Sequence, residues 1–155
     1  MVVLLLADVP HLVDAVGDMR WREWGDEAGR EDLSFWVRVT RQEAGREELP
    51  VTFIAVDPEG NALGAVGLGE YDIPERRDRS PWVLGMIVVP EQRGRGVGRH
   101  LLEALEAFAD GRGYRTIWVA TGPRAVGFYE RCGWRSTEQL TTTEGESPVL
   151  ARELR

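Results

Sequence analysis

Short apolar runs bounded by turn-forming residues are the most evident pattern in this chain. Runs of this length that are rich in β-branched and aromatic residues are typical of β-strands. Residues 50–56 and 82–89 are apolar at nearly every position, which predicts strands that are covered on both faces. The strands predicted from these runs span residues 2–6, 50–56, 62–71, 82–89, 116–120, 134–140 and 148–154.

Apolar residues at intervals of three and four lie between several of these runs and predict amphipathic helices. Asp8 is expected to cap the first helix, with Pro10 in its first turn, and Gly45 to end the second. The polar segment 72–81 is predicted to be a mobile loop. The helices expected from the spacing span residues 11–24, 32–44, 96–112 and 123–132.

The order of these elements, β-α-α-β-β-β-α-β-α-β-β, predicts a single α/β domain over residues 1–155, with a mixed sheet and helices on both faces. No apolar run approaches the roughly 20 residues that span a bilayer. Residues 1–6 are too short for a secretory signal. Cys132 is the sole cysteine, which excludes an intrachain disulfide and favours a reducing, cytoplasmic location.

The net charge of −7 argues against a partner that is a nucleic acid or a membrane surface. Arginines at positions 93, 95 and 99 reverse this charge locally, which favours a small polyanion as ligand. The acidic remainder of the chain suits a cationic acceptor such as an amine.

Glycines and arginines cluster where the predicted strand 82–89 gives way to the predicted helix 96–112. Pro90 cannot continue a central strand, so the strand is expected to end at Val89. Glycines at the start of a helix leave main-chain N–H groups free to bind one anion, with the helix dipole behind them. The spacing matches neither a P-loop nor a dinucleotide-binding fingerprint. The cluster, interpreted as a diphosphate cradle, consists of Gly94, Gly96 and Gly98 with Arg93, Arg95 and Arg99.

Residues 92–98, Gln-Arg-Gly-Arg-Gly-Val-Gly, resemble the acetyl-coenzyme-A signature Q/R-x-x-G-x-G/A of the GNAT superfamily of N-acetyltransferases. Residues 125–134 resemble a second segment of that family, A-x-x-x-Y-x-x-x-G-F/W. The similarity covers nearly the whole chain and is strongest over residues 83–134. It implies a GNAT-like fold with a mostly antiparallel central sheet, acetyl-CoA as the acetyl donor and no metal.

The resemblance also assigns roles to individual residues. Main-chain groups of Ile87 and Val88 would hold the thioester arm as an added strand, and the N–H of Val88 would meet the oxyanion. The residues implied in coenzyme binding are Ile87, Val88, Val89, Arg93, Gly94, Arg95, Gly96, Val97, Gly98, Arg99, Thr121 and Tyr129.

Tyr129 corresponds to the tyrosine that lies beside the coenzyme sulfur in the family. The implied role is that of a general acid for the leaving thiolate, because a phenol remains protonated at neutral pH. The alternative is an aromatic side chain that packs its helix on the sheet.

The chain departs from the family pattern at two places. Gly122 stands where the family commonly has an asparagine that contacts the pantetheine arm, and Thr121 could supply a hydroxyl beside it. The predicted strand 82–89 carries no acid, so the candidate general bases are Glu70 and Asp72. The alternative is that Glu70 and Asp72 are simply solvated side chains at the end of a strand, with no catalytic role.

Trp21, Trp24 and Trp36 lie in the early helices that shape the acceptor pocket in the family. The default interpretation is that each of these tryptophans packs in the core. The alternative is that they line an aromatic pocket with acids at its rim, which could hold an amine by cation–π contact. His11 and His100 are isolated, so neither is assigned as the base, and with one cysteine they form no metal site.

The resulting prediction is an acetyl-CoA-dependent N-acetyltransferase acting on a primary amine of a small molecule or peptide, by direct transfer in a ternary complex. The alternatives are an inactive acyl-CoA-binding sensor or scaffold of the same fold, and a general nucleotide-phosphate binder. Acceptor choice is assigned to residues 17–45 and 69–82, where no specific pattern identifies the acceptor. Homodimerisation is common in the family.

Overall fold

The structure is a computed structural model that describes residues 1–26, 32–143 and 145–154. These residues form two compact units. The first unit comprises residues 1–68 and 85–105, and the second comprises residues 69–84 and the chain from Glu106 onward. Part of the proposed acceptor region, residues 27–31, lies outside the described residues.

Seven strands and four α-helices make up the described chain. The strands are β1 (Val2–Leu5), β2 (Val51–Val56), β3 (Ala62–Gly69), β4 (Trp82–Val88), β5 (Thr116–Ala120), β6 (Arg135–Thr142) and β7 (Gly145–Glu153). The helices are α1 (Val13–Trp24), α2 (Leu33–Gln42), α3 (Val97–Gly111) and α4 (Val126–Arg131).

The strands form one sheet in the order β1-β2-β3-β4-β5-β7-β6. The pairs β1–β2, β2–β3, β5–β7 and β6–β7 are antiparallel, and β4 pairs with β5 in parallel. The sequence-based prediction of a mixed, mostly antiparallel sheet with helices is therefore confirmed.

The core of the first unit covers both faces of β2 and β3. Ile54 pairs with Ala65 and packs against α1, whereas Ala55 pairs with Gly64 on the opposite face. A Cβ on Gly64 would lie 3.2 Å from Leu101 of α3, so this second helix covers that face. All residues of β2 are buried for this reason.

The start of α1 differs from the prediction. Two 3₁₀ turns, Leu6–Asp8 and Pro10–Leu12, precede the helix, which begins at Val13 without a side-chain cap. The carboxylate of Asp8 instead accepts a hydrogen bond from the guanidinium of Arg46. Asp8 is therefore not the helix cap, and Pro10 opens a separate turn.

Gly45 does not end α2, which finishes at Gln42. The N–H of Gly45 donates to the carbonyl of Pro50 at 3.0 Å. A Cβ at this position would lie 2.5 Å from the carbonyl oxygen of Glu48, so the tight turn into β2 requires glycine.

Strand β4 contains Gly85 in the left-handed region, with φ of +49°. A Cβ there would lie 2.8–3.0 Å from Nη2, Cζ and Nε of Arg20. Because these three atoms belong to one planar group and are nearly equidistant, the guanidinium lies flat against Gly85. Nη1 of this buried arginine donates to Thr40 Oγ1 at 3.1 Å and to Glu43 Oε1 at 3.0 Å.

The segment between β3 and β4, predicted as a mobile loop, is anchored within the second unit. Arg76 donates from Nε and Nη2 to the two carboxylate oxygens of Glu138 at 2.8 and 2.7 Å. Arg79 donates to Glu138 at 3.1 Å, and its carbonyl accepts the indole N–H of Trp82 at 2.8 Å.

Candidate functional site

The turn before α3 exposes main chain that carries no side chains. Gly94 and Gly96 have φ of +79° and +85°, a region that favours glycine. A Cβ on Gly94 would meet nothing within 4 Å, and one on Gly96 would meet only the ring of His100, at 3.8 Å. The outer side of the turn is therefore open to a ligand.

The main-chain N–H groups of residues 96–98 precede the first intrahelical hydrogen bond of α3, so they have no carbonyl partner within the helix. The first helical bond runs from His100 N to the carbonyl of Gly96 at 3.1 Å, and the His100 Nδ1 lies 2.8 Å from the same oxygen. The free N–H groups and the dipole of the 15-residue helix α3 suit an anion such as a diphosphate.

The Arg93 side chain extends from this turn across the end of β4 to α1. Its Nε donates to the carbonyl of Val88 at 3.0 Å, and its Nη2 donates to Glu23 Oε2 at 3.1 Å. Arg95 and Arg99 are exposed beside the same turn. The predicted coenzyme residues 87–89 and 93–99 thus lie together in the first unit.

A cavity of about 830 Å³ lies in the first unit between the second half of α1 and the end of β4. Its walls combine carboxylates with an indole and the apolar side chains of Ile87 and Val89. No sequence motif marked these acids, which occupy the polar face of an ordinary amphipathic helix and a turn. The charged and aromatic lining residues are Asp18, Trp21, Arg22, Glu23, Asp26 and Glu91.

The three early tryptophans separate into two groups. Trp21 lines the cavity, as the pocket hypothesis expects. Trp24 packs against the hydrophobic core, and its ring centroid lies 5.8 Å from that of Trp36, which is buried. Core packing therefore accounts for these last two residues.

Tyr129 is buried on α4 in the second unit, with ring centroids of Phe128 and Trp134 at 5.2 and 5.3 Å. Burial raises the pKa of its phenol, and the charges of Cys132 and Asp72 raise that pKa further. The hydroxyl therefore keeps its proton at neutral pH. Tyr129 and Asp72, two of the residues predicted for the site, both lie in the second unit.

Three other candidates lie in the second unit. Glu70 and Asp72 are exposed in the segment after β3. The N–H of Thr121 donates to the carbonyl of Pro148 at 3.0 Å. Gly122 has φ of −76° and ψ of 159°, and a Cβ there would meet nothing within 4 Å, so neither backbone nor space requires glycine.

Among the residues described, no group of three or more His, Cys, Asp and Glu side chains could hold a metal ion. Within those limits, no helix is both long and apolar enough to cross a bilayer.

The fold is similar to that of solved N-acetyltransferases. The model of the Acetyltransferase (GNAT) family matches residues 13–134, and the chain belongs to this family. The resemblance inferred from residues 92–98 and 125–134 is thereby confirmed.

Two relatives show the range of similarity. Mouse (Mus musculus) N-alpha-acetyltransferase 80 is 42% identical over 134 residues, which are 84% of this chain and 40% of that protein. Human (Homo sapiens) N-acetyltransferase 8B is 27% identical over 122 residues, which are 77% of this chain and 52% of that protein. The chain spans about half the length of the curated relatives it matches.

Solved structures share the fold at low sequence identity. An aminoglycoside 6'-N-acetyltransferase complexed with coenzyme A has a TM-score of 0.79 and 18% identity, with 99% of this chain and 97% of that chain covered. A spermidine N-acetyltransferase from Vibrio cholerae has a TM-score of 0.73 and 18% identity, with 99% and 95% covered.

Proposed function

We propose that this protein transfers an acetyl group from acetyl-CoA to a primary amine of a small molecule or peptide, within a ternary complex. The open N-terminal turn of α3 carries the proposal, because free N–H groups at left-handed glycines fit a diphosphate. The enzyme names of the relatives support amine acetylation, and the coenzyme A in one neighbouring structure supports the donor.

The proposed reaction forms a C–N bond and breaks the C–S bond of the thioester. The amine nitrogen attacks the carbonyl carbon, and the N–H of Val88 stabilises the oxyanion. Tyr129 gives its proton to the leaving thiolate, which suits a phenol whose pKa burial keeps high. The amine loses its proton to Glu70 or Asp72, directly or through water.

The cavity between α1 and β4 is the proposed acceptor site. Its carboxylates attract an ammonium group, and the indole of Trp21 offers a π-face to the same cation. This assignment favours a cationic amine over a neutral or acidic acceptor. The relatives that act on aminoglycosides and spermidine are consistent with this preference.

Gly96→Glu tests the cradle, and Gly60→Glu is its matched control. Both glycines are exposed, with φ of +85° and +86°, and Gly60 lies in the turn between β2 and β3. Each variant is expected to lose about 1–2 kcal/mol of stability through the left-handed backbone. We expect only Gly96→Glu to abolish coenzyme A binding in calorimetry, because it fills and charges the cradle.

A free-thiol release assay with acetyl-CoA and a broad amine panel tests turnover. Acceptor-dependent thiol release that Gly96→Glu abolishes would support the transferase. Tight acetyl-CoA binding without such release would favour the acyl-CoA sensor. Equal competition by ATP, NAD and coenzyme A would instead indicate a general nucleotide-phosphate binder.

A further inference from the structure

Glu23 of α1 adjoins both proposed ligand sites of the first unit, although no sequence motif marks it. Its Oε2 lies 3.1 Å from Nη2 of Arg93, the proposed partner of the coenzyme diphosphate. The same side chain lines the cavity proposed for the acceptor. One carboxylate is thus shared between the coenzyme side and the acceptor side.

Bound coenzyme would compete for the guanidinium that Glu23 now holds. Arg93 uses Nη2 for Glu23 and Nε for the carbonyl of Val88. A diphosphate offers several charged oxygens and binds arginine more strongly than one carboxylate in water does. Turning Arg93 toward the diphosphate removes the counter-charge of Glu23.

Without this counter-charge, Glu23 leaves an unpaired negative charge at the wall of the cavity. Asp18, which also lines the cavity, is already paired with Arg22 at 2.8 Å on the same helix. Glu23 is different, because its partner cation, Arg93, lies in the turn before α3 that is proposed to bind the coenzyme. A carboxylate released into this cavity attracts an ammonium group.

We propose that Glu23 couples the two sites: Arg93 neutralises it in the free protein, and coenzyme binding releases it to hold the ammonium group of a cationic acceptor. The inference rests on the proposed function, which supplies both ligands. Coupling between two sites is reciprocal, so a bound cation also tightens coenzyme binding. For a partly exposed pair, coupling of about three- to fivefold is expected.

The experiment measures coenzyme A binding by calorimetry with n-butylamine hydrochloride, or with sodium chloride at the same ionic strength. 1-Butanol serves as the uncharged match. The unmodified protein is expected to bind coenzyme A about threefold more tightly with the amine, and no more tightly with the alcohol. Glu23→Gln should bind coenzyme A about two- to threefold more tightly without amine, and show no further gain with it.

Asp14→Asn is the matched control, because it removes a carboxylate from the same helix that pairs with Arg41, not Arg93, and does not line the cavity. It should keep both the coenzyme affinity and the response to the amine. Equal amine responses in Glu23→Gln and Asp14→Asn, or no response in the unmodified protein, would overturn the coupling while coenzyme binding stands. Absence of coenzyme A binding to the unmodified protein would overturn the proposed function as well.

Discussion

At the residue scale, Tyr129 packs its helix and is also the proposed general acid. Its ring packs at an angle against Phe128 and Trp134, which accounts for its burial. The same burial keeps its hydroxyl protonated, which a general acid requires. Packing and the acid role are therefore compatible at this position.

Tyr129→Phe separates the two roles, because the ring remains and only the hydroxyl is lost. If the phenol protonates the thiolate, the variant should fold normally and turn over about 10²-fold more slowly. Steady-state thiol release with the best amine of the panel measures this. A rate near that of the unmodified protein would assign Tyr129 to packing alone.

The raised pKa of Tyr129 also predicts a pH dependence of stability. An unfolded tyrosine loses its proton near its ordinary pKa of 10.0, whereas the buried residue retains it. The contribution to the free energy of unfolding is therefore fully present below about pH 10 and is lost as the pH rises further. Melting temperatures at about pH 8 and about pH 11 should differ less in Tyr129→Phe than in the unmodified protein.

Residues 93–98, the turn proposed to bind the coenzyme, stand out in the sequence because their signal is local. Gly94 and Gly96 adopt left-handed backbone beside a helix start, and glycines with these neighbours form a compact motif. The proposed role of Glu23 could not be predicted, because it rests on a contact with Arg93, 70 positions away in the chain. Nothing in the amphipathic pattern of α1 distinguishes it from other exposed acids.

At the scale of elements, β4 depends on a contact that its own sequence does not reveal. The guanidinium of Arg20 packs flat against Gly85. The same group donates hydrogen bonds to Thr40 of α2 and to Glu43, which follows α2. Burial lowers the pKa of this arginine, and Glu43 opposes that effect. The position of one glycine in β4 is thus coupled to two helices.

Gly85→Ala is expected to reduce the free energy of unfolding by about 3–4 kcal/mol. About 1–2 kcal/mol arises from left-handed backbone, and the rest from displacing a hydrogen-bonded guanidinium. Gly94→Ala, at φ of +79° with open space around it, should lose only the backbone contribution. Urea denaturation measures both, and equal losses would show that the Arg20 contact contributes nothing.

The interiors of the elements could be predicted more accurately than their ends. The predicted strand 116–120 has the observed bounds, because its apolar run is sharply limited. Asp8 has the sequence features of a helix cap, yet it pairs with Arg46 of a distant segment. Such tertiary contacts compete with helix capping and decide where α1 begins. Local sequence propensity carries no information about them.

At the scale of the whole molecule, the family and the sheet could be predicted because residues 92–98 and 125–134 carry compact motifs in the expected order. The division into two units could not, because no linker or change of composition marks it. The chain passes from one unit to the other after residues 68, 84 and 105, each time within or beside a regular element.

The repeated passage of the chain between the two units has an evolutionary consequence. Each unit is assembled from two separate stretches of chain, so any contiguous stretch that encodes all of one unit also encodes part of the other. A single crossover between related genes anywhere from residue 69 to residue 105 would divide both units. Chimeras are therefore expected to keep both units intact when surface loops are exchanged rather than halves.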